Sequence, residues 1–366
     1  DRQRTSAALA AGRDDEALAV AENSWTMFEK DEDLDVSRDL LDILSSISES
    51  KAGKDQPDWQ KRMISKYFMH KEEPFHTKGA LALKQLADLQ LAGGQIADAF
   101  ENYSLFAAGA VGRPSTKLEE ANRGSLLGMA EILFERKEYQ KAKDQALKIS
   151  GETAADKKAW QDLLITKCDD NMGKTQEPIQ GYEAWLRNYT AKEVRPEDLL
   201  FVLDRLASLL AGAGRNIEAI SYLDRLLELE EKPIRQLQAR VRKADLVYPS
   251  DKERATGLYR EALVKYKDNE EEGVFELLME TYARTTADIG LIDFGLCQEY
   301  AARALGEKNS ANRIVREAAC KILKSGAKAM EASGEEDREK WIRQQLVSHF
   351  RTKESLEHER DLAYSY

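Results

Sequence analysis

The tripeptide Gly173-Lys174-Thr175 has the residue types that close a phosphate-binding loop, in which backbone amides and a lysine hold phosphates. Such a loop also needs a glycine five residues before the Gly-Lys pair and a strand in front of it. Cys168 occupies the position of that glycine, and the pattern predicts no strand there. We therefore predict a turn between two helices, ahead of Pro178, and no nucleotide site.

Two further glycine motifs have a simpler explanation. Gly93-Gly94-Gln95 has the letters of the peptide-hydrolysing motif of translation release factors, and Gly212-Ala213-Gly214 has part of a dinucleotide-binding pattern. Both follow an apolar helical stripe, where glycine is favoured because it tolerates positive φ. We predict hairpin turns at both places.

Histidines and cysteines are the residue types that would hold a metal ion, and both are scarce. His70 and His76 flank Pro74 in a predicted loop, and His349 lies on an apolar stripe; His358 completes the set. No spacing typical of a zinc site occurs. The cysteines, Cys168, Cys297 and Cys320, are odd in number and far apart, which favours buried free thiols. We predict no metal, no cofactor and no disulfide.

Carboxylates are plentiful and could pair as general acid and base, for example in three of their runs. Catalysis needs burial that shifts a carboxyl pKa, whereas these runs lie between helices beside polar residues. We read them as solvated turns or helix starts, favoured by the helix dipole. The sequence thus predicts no active site and a non-enzymatic protein. The runs are Asp31-Glu32-Asp33, Glu270-Glu271-Glu272 and Glu335-Glu336-Asp337.

Aromatic residues are denser in the N-terminal third than elsewhere. Trp59, Met63 and Tyr67 keep the i, i+4, i+8 spacing of one helix face, which predicts core packing. An exposed cluster would instead anchor a partner. Core packing is the preferred interpretation. The other members are Trp25, Phe28, Phe68 and Phe75.

The composition excludes several classes of protein. Of the 366 residues, 42% are hydrophobic and 33% are charged, which is enough apolar material for a folded chain. The formal charge of -11 opposes binding to nucleic acid or anionic lipid. No stretch has the roughly 20 apolar residues needed to cross a bilayer.

The elements that must position any site are helices, and they repeat. A small residue, followed about four positions later by a large apolar one, recurs with steps of 43, 39, 38, 36 and 42 residues. Two helices pack closely only where a side chain at the crossing is small, which explains the pattern. The same register extends back to Trp59 and Ala17. The six anchors are Ala99, Ala142, Gly181, Ala219, Ala255 and Cys297.

The clearest copy covers residues 203–233. Leu203, Leu206 and Leu210 form one stripe, a glycine turn follows, and a second helix ends before Pro233, which we expect to stop it. Residues 83–106 and 129–149 repeat the design. We predict about eight stacked helical hairpins over residues 1–309, and capping helices over 310–366, near 310–333 and 335–362, in a single continuous solenoid.

The spacing of these three segments resembles that of the tetratricopeptide repeat (TPR) family, although the steps exceed the usual 34 residues. The resemblance implies an all-α, right-handed α-α superhelix of stacked helical hairpins. In that family the first helix of each hairpin lines a concave groove. The residues that would line this groove are Lys84, Asp88, Leu91, Leu127, Glu131, Phe134, Phe201, Asp204 and Ser208.

The resemblance also implies a function, namely a scaffold whose concave face binds a peptide or protein. Family members that grip the C-terminal carboxylate of heat-shock chaperones use asparagine where this chain has Asp88, Glu131 and Ser208. We therefore do not expect that activity. The alternative is an enzyme or carbohydrate-binding domain of the α/α-toroid type, whose helices would close a ring.

The chain starts at Asp1, and its first residues read as the end of one helix, a turn at Gly12 and the start of another. We expect a segment upstream of Asp1, either a targeting sequence or further repeat. A targeting sequence would place the protein in a bacterial periplasm or envelope, including the case of an upstream lipid tether. Further repeat would fit a cytoplasmic protein.

Overall fold

A computed structural model describes residues 1–50, 56–70, 72–110, 116–151, 154–269, 271, 273–288, 290, 292–306, 309 and 312–350. These residues form eighteen α-helices and no strand. The first ten helices are α1 Arg2–Ala10, α2 Asp14–Phe28, α3 Leu34–Glu49, α4 Pro57–Tyr67, α5 Phe75–Ala92, α6 Ile96–Ala110, α7 Thr116–Glu135, α8 Tyr139–Leu147, α9 Ala155–Asn171 and α10 Gln176–Asn188.

The remaining helices are α11 Pro196–Gly212, α12 Asn216–Leu229, α13 Pro233–Val247, α14 Lys252–Tyr266, α15 Val274–Asp288, α16 Phe294–Leu305, α17 Arg313–Ser333 and α18 Glu336–Phe350. The chain divides into two compact units, residues 1–194 and 195–366. Within the first unit, α1, α3, α5, α7 and α9 contact one another in succession. The even-numbered helices pack beside them as the second members of the hairpins.

The small anchor residues lie at the helix crossings, as predicted. Ala99, Ala142, Ala219 and Ala255 have no exposed surface. At Gly181 a Cβ would stand 2.6 Å from the hydroxyl oxygen of Thr166, so a larger residue would separate α10 from α9. Burial of the anchors brings the apolar stripes of neighbouring helices together, which is how a hairpin that cannot bury its own stripe becomes stable.

The glycine turns also agree with the sequence. Gly94, Gly173 and Gly214 each adopt a positive φ between consecutive helices. Gly173 therefore belongs to the α9–α10 turn, which removes the phosphate-loop interpretation. Asp33 caps α3 by accepting hydrogen bonds from the backbone amides of Asp35 and Val36, as expected for an acidic run at a helix start.

Two local predictions were wrong. α12 ends before Pro233, as predicted, but it ends at Leu229, and Pro233 does not stop it because Pro233 is the first residue of α13. Proline at the first helical position is favourable because that position needs no amide hydrogen. His76 lies in the first turn of α5 and is buried, so it is not part of a loop. Its Nδ1 lies 2.8 Å from the carbonyl oxygen of Phe68.

The predicted C-terminal helices are observed as α17 and α18 up to Phe350. The rest of the predicted helix 335–362, including His358, lies outside the described residues, as do Glu270 and Glu272. In the N-terminal third, Trp59, Tyr67 and Phe75 are buried, which confirms the core interpretation of that aromatic cluster. The guanidinium of Arg62 covers the Trp59 ring at 4.6 Å.

Side chains from neighbouring helices cap several helix ends. The Lys66 ammonium, on α4, donates to the carbonyl oxygens of Phe28, Glu29 and Asp31 at 3.2, 2.8 and 2.8 Å, where α2 ends. Burial lowers the pKa of Lys66, and the nearby carboxylates of Asp31 and Glu29 oppose this effect. A helix end carries partial negative charge and unpaired carbonyls, so a cation stabilises it.

We expect the Lys66→Met variant to lose about 1.5 kcal/mol of unfolding free energy, because three carbonyls lose a charged donor. Thermal unfolding followed by tryptophan fluorescence measures the loss. Lys61→Met is the matched control, since Lys61 lies on the same helix and its ion pair is with the exposed carboxylate of Asp58. Equal midpoints for the two variants would show that the cap contributes nothing.

Candidate partner-binding surface

On α5, the predicted contact residues Lys84 and Asp88 are half-buried and paired. The Lys84 ammonium lies 2.5 Å from one Asp88 carboxylate oxygen, and the hydroxyl of Tyr103 donates to the other at 2.7 Å. Leu91 packs against the cluster around Ala87 and contributes to the core. Asp88 is therefore held in place by the hairpin itself, while its carboxylate keeps one edge towards solvent.

The aspartate–tyrosine hydrogen bond between the two helices of a hairpin recurs along the chain. In each case a carboxylate on the first helix accepts from a tyrosine hydroxyl on the second. The bond fixes the rotation of one helix against the other. The pairs are Asp88–Tyr103, Asp170–Tyr182 and Asp245–Tyr259.

On α7, Leu127, Glu131 and Phe134 lie along one stripe. Leu127 and Phe134 are half-buried against the cluster of Ala130, Ala146 and Leu164. Glu131 accepts a hydrogen bond from the indole nitrogen of Trp160 on α9. The α7 stripe therefore packs its apolar residues against α8 and α9, and it also makes a polar contact with α9 through Glu131.

The predicted residues on α11 belong to the second unit. Phe201 is 39% exposed, and Asp204 and Ser208 lie one turn apart. Arg242 on α13 pairs with Asp204 and donates to the Ser208 hydroxyl at 2.7 Å. Within this unit the first helices are therefore linked by charged side chains.

In the first unit, side chains of α5, α7 and α9 form one continuous surface, which we call the first-helix face. A Cβ on Gly124 of α7 would lie 3.3 Å from the Lys84 side chain, so α5 and α7 meet there. Trp160 and Glu131 join α7 to α9, and the Lys167 ammonium lies 4.9 Å from the centre of the Trp160 ring. The structure thus brings Lys84, Leu127 and Glu131 onto one surface.

An open cavity of about 350 Å³ lies on this face between α7 and α9. Its lining combines cationic, apolar and amide side chains. Such a combination of apolar wall and few polar groups is typical of binding pockets. The lining residues are Glu120, Arg123, Gly124, Leu127, Ile149, Ala154, Lys157 and Gln161.

Sequence reasoning missed Arg123, Lys157 and Trp160. Arg123 precedes Leu127 by four residues, so extending the α7 stripe by one turn would have found it. Trp160 and Lys167 are seven residues apart, which is the same face of α9. No signal in the sequence places Lys157 beside α7, because that contact depends on how α9 stacks.

Comparison with known proteins addresses the fold. No protein-family model matches the sequence, and no curated relative does. Among solved structures, the C-terminal part of a TPR repeat-containing protein from Cytophaga hutchinsonii matches at a TM-score of 0.51 and 12% identity, covering 76% of this chain and 98% of its own. The chain has a divergent TPR-like fold.

Two other solved structures are similar over most of the chain. The Rap conjugation gene regulator of plasmid pLS20, in complex with the Phr* peptide, covers 92% of this chain and 96% of its own at 14% identity and a TM-score of 0.36. The apo quorum sensor NprR from B. thuringiensis covers 95% and 97%, at 15% identity and a TM-score of 0.37. At these TM-scores neither adds to the argument for the fold.

The lysine of the Gly-Lys-Thr motif has a structural partner in the TPR-like fold. The carboxylate of Asp169, which is buried, accepts from Lys174 at 2.6 Å and from Lys143 at 2.7 Å. Burial alone would raise the pKa of Asp169, but the hydrogen bonds from both lysines outweigh it and hold the pKa below its ordinary value. The triad joins α8 to the end of α9.

The cysteines are buried free thiols, as predicted. Burial raises the pKa of Cys168 to about 11 and that of Cys297 to about 12, so both remain protonated and unreactive at neutral pH. Among the described residues, no group of three or more His, Cys, Asp or Glu side chains is placed to hold a metal ion. No described helix is long and apolar enough to span a membrane.

Proposed function

We propose that this protein is a non-enzymatic scaffold that binds a peptide or protein partner on the first-helix face. The observation that carries the proposal is the open cavity between α7 and α9, with Lys84 on one side of it and Trp160 beyond it. A half-buried tryptophan next to a partly apolar cavity is the kind of anchor on which protein interfaces concentrate binding energy.

The proposal keeps the predicted residues of α5 and α7 as contacts and adds Arg123, Lys157 and Trp160. Phe201, Asp204 and Ser208 remain the predicted contacts of the second unit. It also keeps the division into eight hairpins over residues 1–309 and a C-terminal cap, because a repeat array presents the same helix of each hairpin to one ligand.

A selection of random linear peptides, displayed on phage, against the full chain tests the proposal. We expect enriched peptides to bind the Leu127→Glu variant at least about tenfold more weakly than wild type, a loss of about 1.4 kcal/mol. The charge would be buried against the apolar wall of the cavity, where it is costly. Calorimetric titration of a synthetic peptide measures the difference.

The matched control is Leu105→Glu, since Leu105 is 49% exposed and lies on α6, a second helix. Circular dichroism must show wild-type helicity for both variants. A selection that enriches no peptide, or only peptides whose binding is equally sensitive to both substitutions, would contradict a binding role for the first-helix face.

A further inference from the structure

One wall of the cavity carries the guanidinium of Arg123. Arg123 forms neither an ion pair nor a hydrogen bond through its guanidinium with any of the described residues, although it is only half-exposed. One of its terminal nitrogens would lie 3.5 Å from a Cβ at Gly151, so the guanidinium is held beside that turn. An arginine so placed is available to an anionic ligand and offers a flat, forked donor to it.

The second cation of the cavity, Lys157, is only weakly paired. Its ammonium lies 3.6 Å from a Glu120 carboxylate oxygen, beyond hydrogen-bond distance for a strong pair, and the two side chains are 49% and 67% exposed. Exposed pairs of this kind contribute little to stability and are easily exchanged. A carboxylate that also reaches Arg123 would replace Glu120 at Lys157.

Part of the lining is apolar and already formed. The Gln161 side chain, 4% exposed, donates its amide to the Ala146 carbonyl at 2.7 Å and to the Ile149 carbonyl at 3.4 Å. These bonds hold the chain after α8 in place, and both Ile149 and Leu127 line the cavity. A ligand therefore meets a fixed aliphatic surface, which lowers the ordering cost of binding.

The charge balance selects one kind of ligand. Among the described residues, the lining has two cations and one carboxylate on a chain whose formal charge is -11, so these residues offer a local excess of positive charge. Displacement of Glu120 leaves both cations facing the ligand, and the carboxylate of Asp or Glu is the anionic side chain that an unmodified peptide supplies. Lys84 adjoins the lining residue Gly124, and Trp160 bonds Glu131, one turn beyond Leu127, so the first-helix face extends past the cavity in both directions.

We infer that the cavity binds an acidic side chain within a linear peptide, with its carboxylate between Arg123 and Lys157 and a neighbouring aliphatic side chain against Leu127 and Ile149. The inference rests on the proposed function and names the chemistry of its partner. In the free protein the Glu120 carboxylate pairs with the Lys157 ammonium, so the carboxylate of the ligand has to displace it.

Three short peptides test the inference on the full chain. Acetyl-Leu-Glu-Leu-amide offers an internal carboxylate, acetyl-Leu-Gln-Leu-amide offers none, and acetyl-Leu-Gln-Leu with a free terminus offers only the terminal one. Methyl NMR spectra of selectively labelled protein follow Leu127 and Ile149 during titration. We expect the first peptide to shift these methyl signals and to bind about tenfold or more tightly than the other two.

Substitutions of the charged lining residues separate binding of a carboxylate from apolar packing of the peptide. Arg123→Gln should remove the preference for glutamate over glutamine, whereas Glu120→Gln should strengthen binding of the glutamate peptide roughly threefold, because the competing carboxylate is gone. Lys141→Gln is the control, since Lys141 is 72% exposed on α8 and pairs with Glu138. It should leave binding unchanged.

Equal binding of the glutamate and glutamine peptides would overturn the inference, as would a preference for the free terminus or a preference that survives Arg123→Gln. The scaffold proposal can hold even if this inference about the ligand fails. If selected peptides without an acidic residue bind in a Leu127-dependent manner, the first-helix face is a binding surface and the acidic ligand is wrong.

Discussion

Gly79→Ala is expected to destabilise residues 1–194 by about 3 kcal/mol, the upper end of the cost of overpacking a helix contact. A Cβ at this position of α5 would stand 2.5 Å from the backbone nitrogen of Phe68 and 2.6 Å from the carbonyl carbon of Tyr67. Backbone atoms cannot rotate away as a side chain can. The end of α4 would therefore have to move off α5.

Tryptophan fluorescence during urea unfolding measures this loss, because four of the five tryptophans, Trp25, Trp59, Trp160 and Trp185, belong to the first unit. Gly257→Ala is the matched control. That glycine is exposed inside α14, no described atom outside the backbone of its own helix and its chain neighbours lies within 4 Å of its Cβ position, and alanine should stabilise the helix by about 0.5–1 kcal/mol. An unchanged midpoint for Gly79→Ala would mean that α4 and α5 do not approach as described.

Asp169→Asn is expected to cost about 2 kcal/mol at neutral pH, because two lysines lose their shared carboxylate in a buried setting. Since the pKa of Asp169 is held below its ordinary value, the carboxylate contributes stability above the pKa of the unfolded chain. That contribution is lost as the pH falls through the lower pKa of the folded state. The variant should therefore approach wild-type stability below roughly pH 4.

Urea midpoints of the two proteins at several pH values provide this measurement. Glu138→Gln serves as the control, because its partner Lys141 lies on the surface, and it should change the midpoint little. If the difference between Asp169→Asn and wild type stayed constant down to pH 3 or so, the triad would not be the source of the stabilisation.

Local patterns predicted the hairpins well where one small residue and one aromatic residue sit four apart. Ala99 with Tyr103 and Ala255 with Tyr259 are all buried, as their spacing required. The pattern failed at Pro233 and His76 because a proline can begin a helix as well as follow one. Which of the two applies depends on where the next apolar stripe starts.

For the predicted contact residues, too, the sequence determined one part of the answer and tertiary packing determined the other. The sequence periodicity and the resemblance to TPR proteins placed these residues on the first helix of each hairpin. Periodicity does not separate Leu91, which packs into the core, from Leu127, which lines a cavity. Both are leucines on the outer edge of an amphipathic stripe, and only the neighbouring helix determines how much of each remains exposed.

The sequence alone determined the all-α repeat fold, the glycine turns and the burial of the three thiols. These depend on residues close in the chain, where helical periodicity and backbone freedom act directly. The tertiary structure decided that Lys174 and Lys143 share the carboxylate of Asp169, that the Cβ position of Gly79 adjoins the backbone of Phe68, and that Arg123 lines a cavity without an ion-pair partner among the described residues. Each of these depends on how separate helices and turns pack against one another, which tertiary packing sets and local spacing does not.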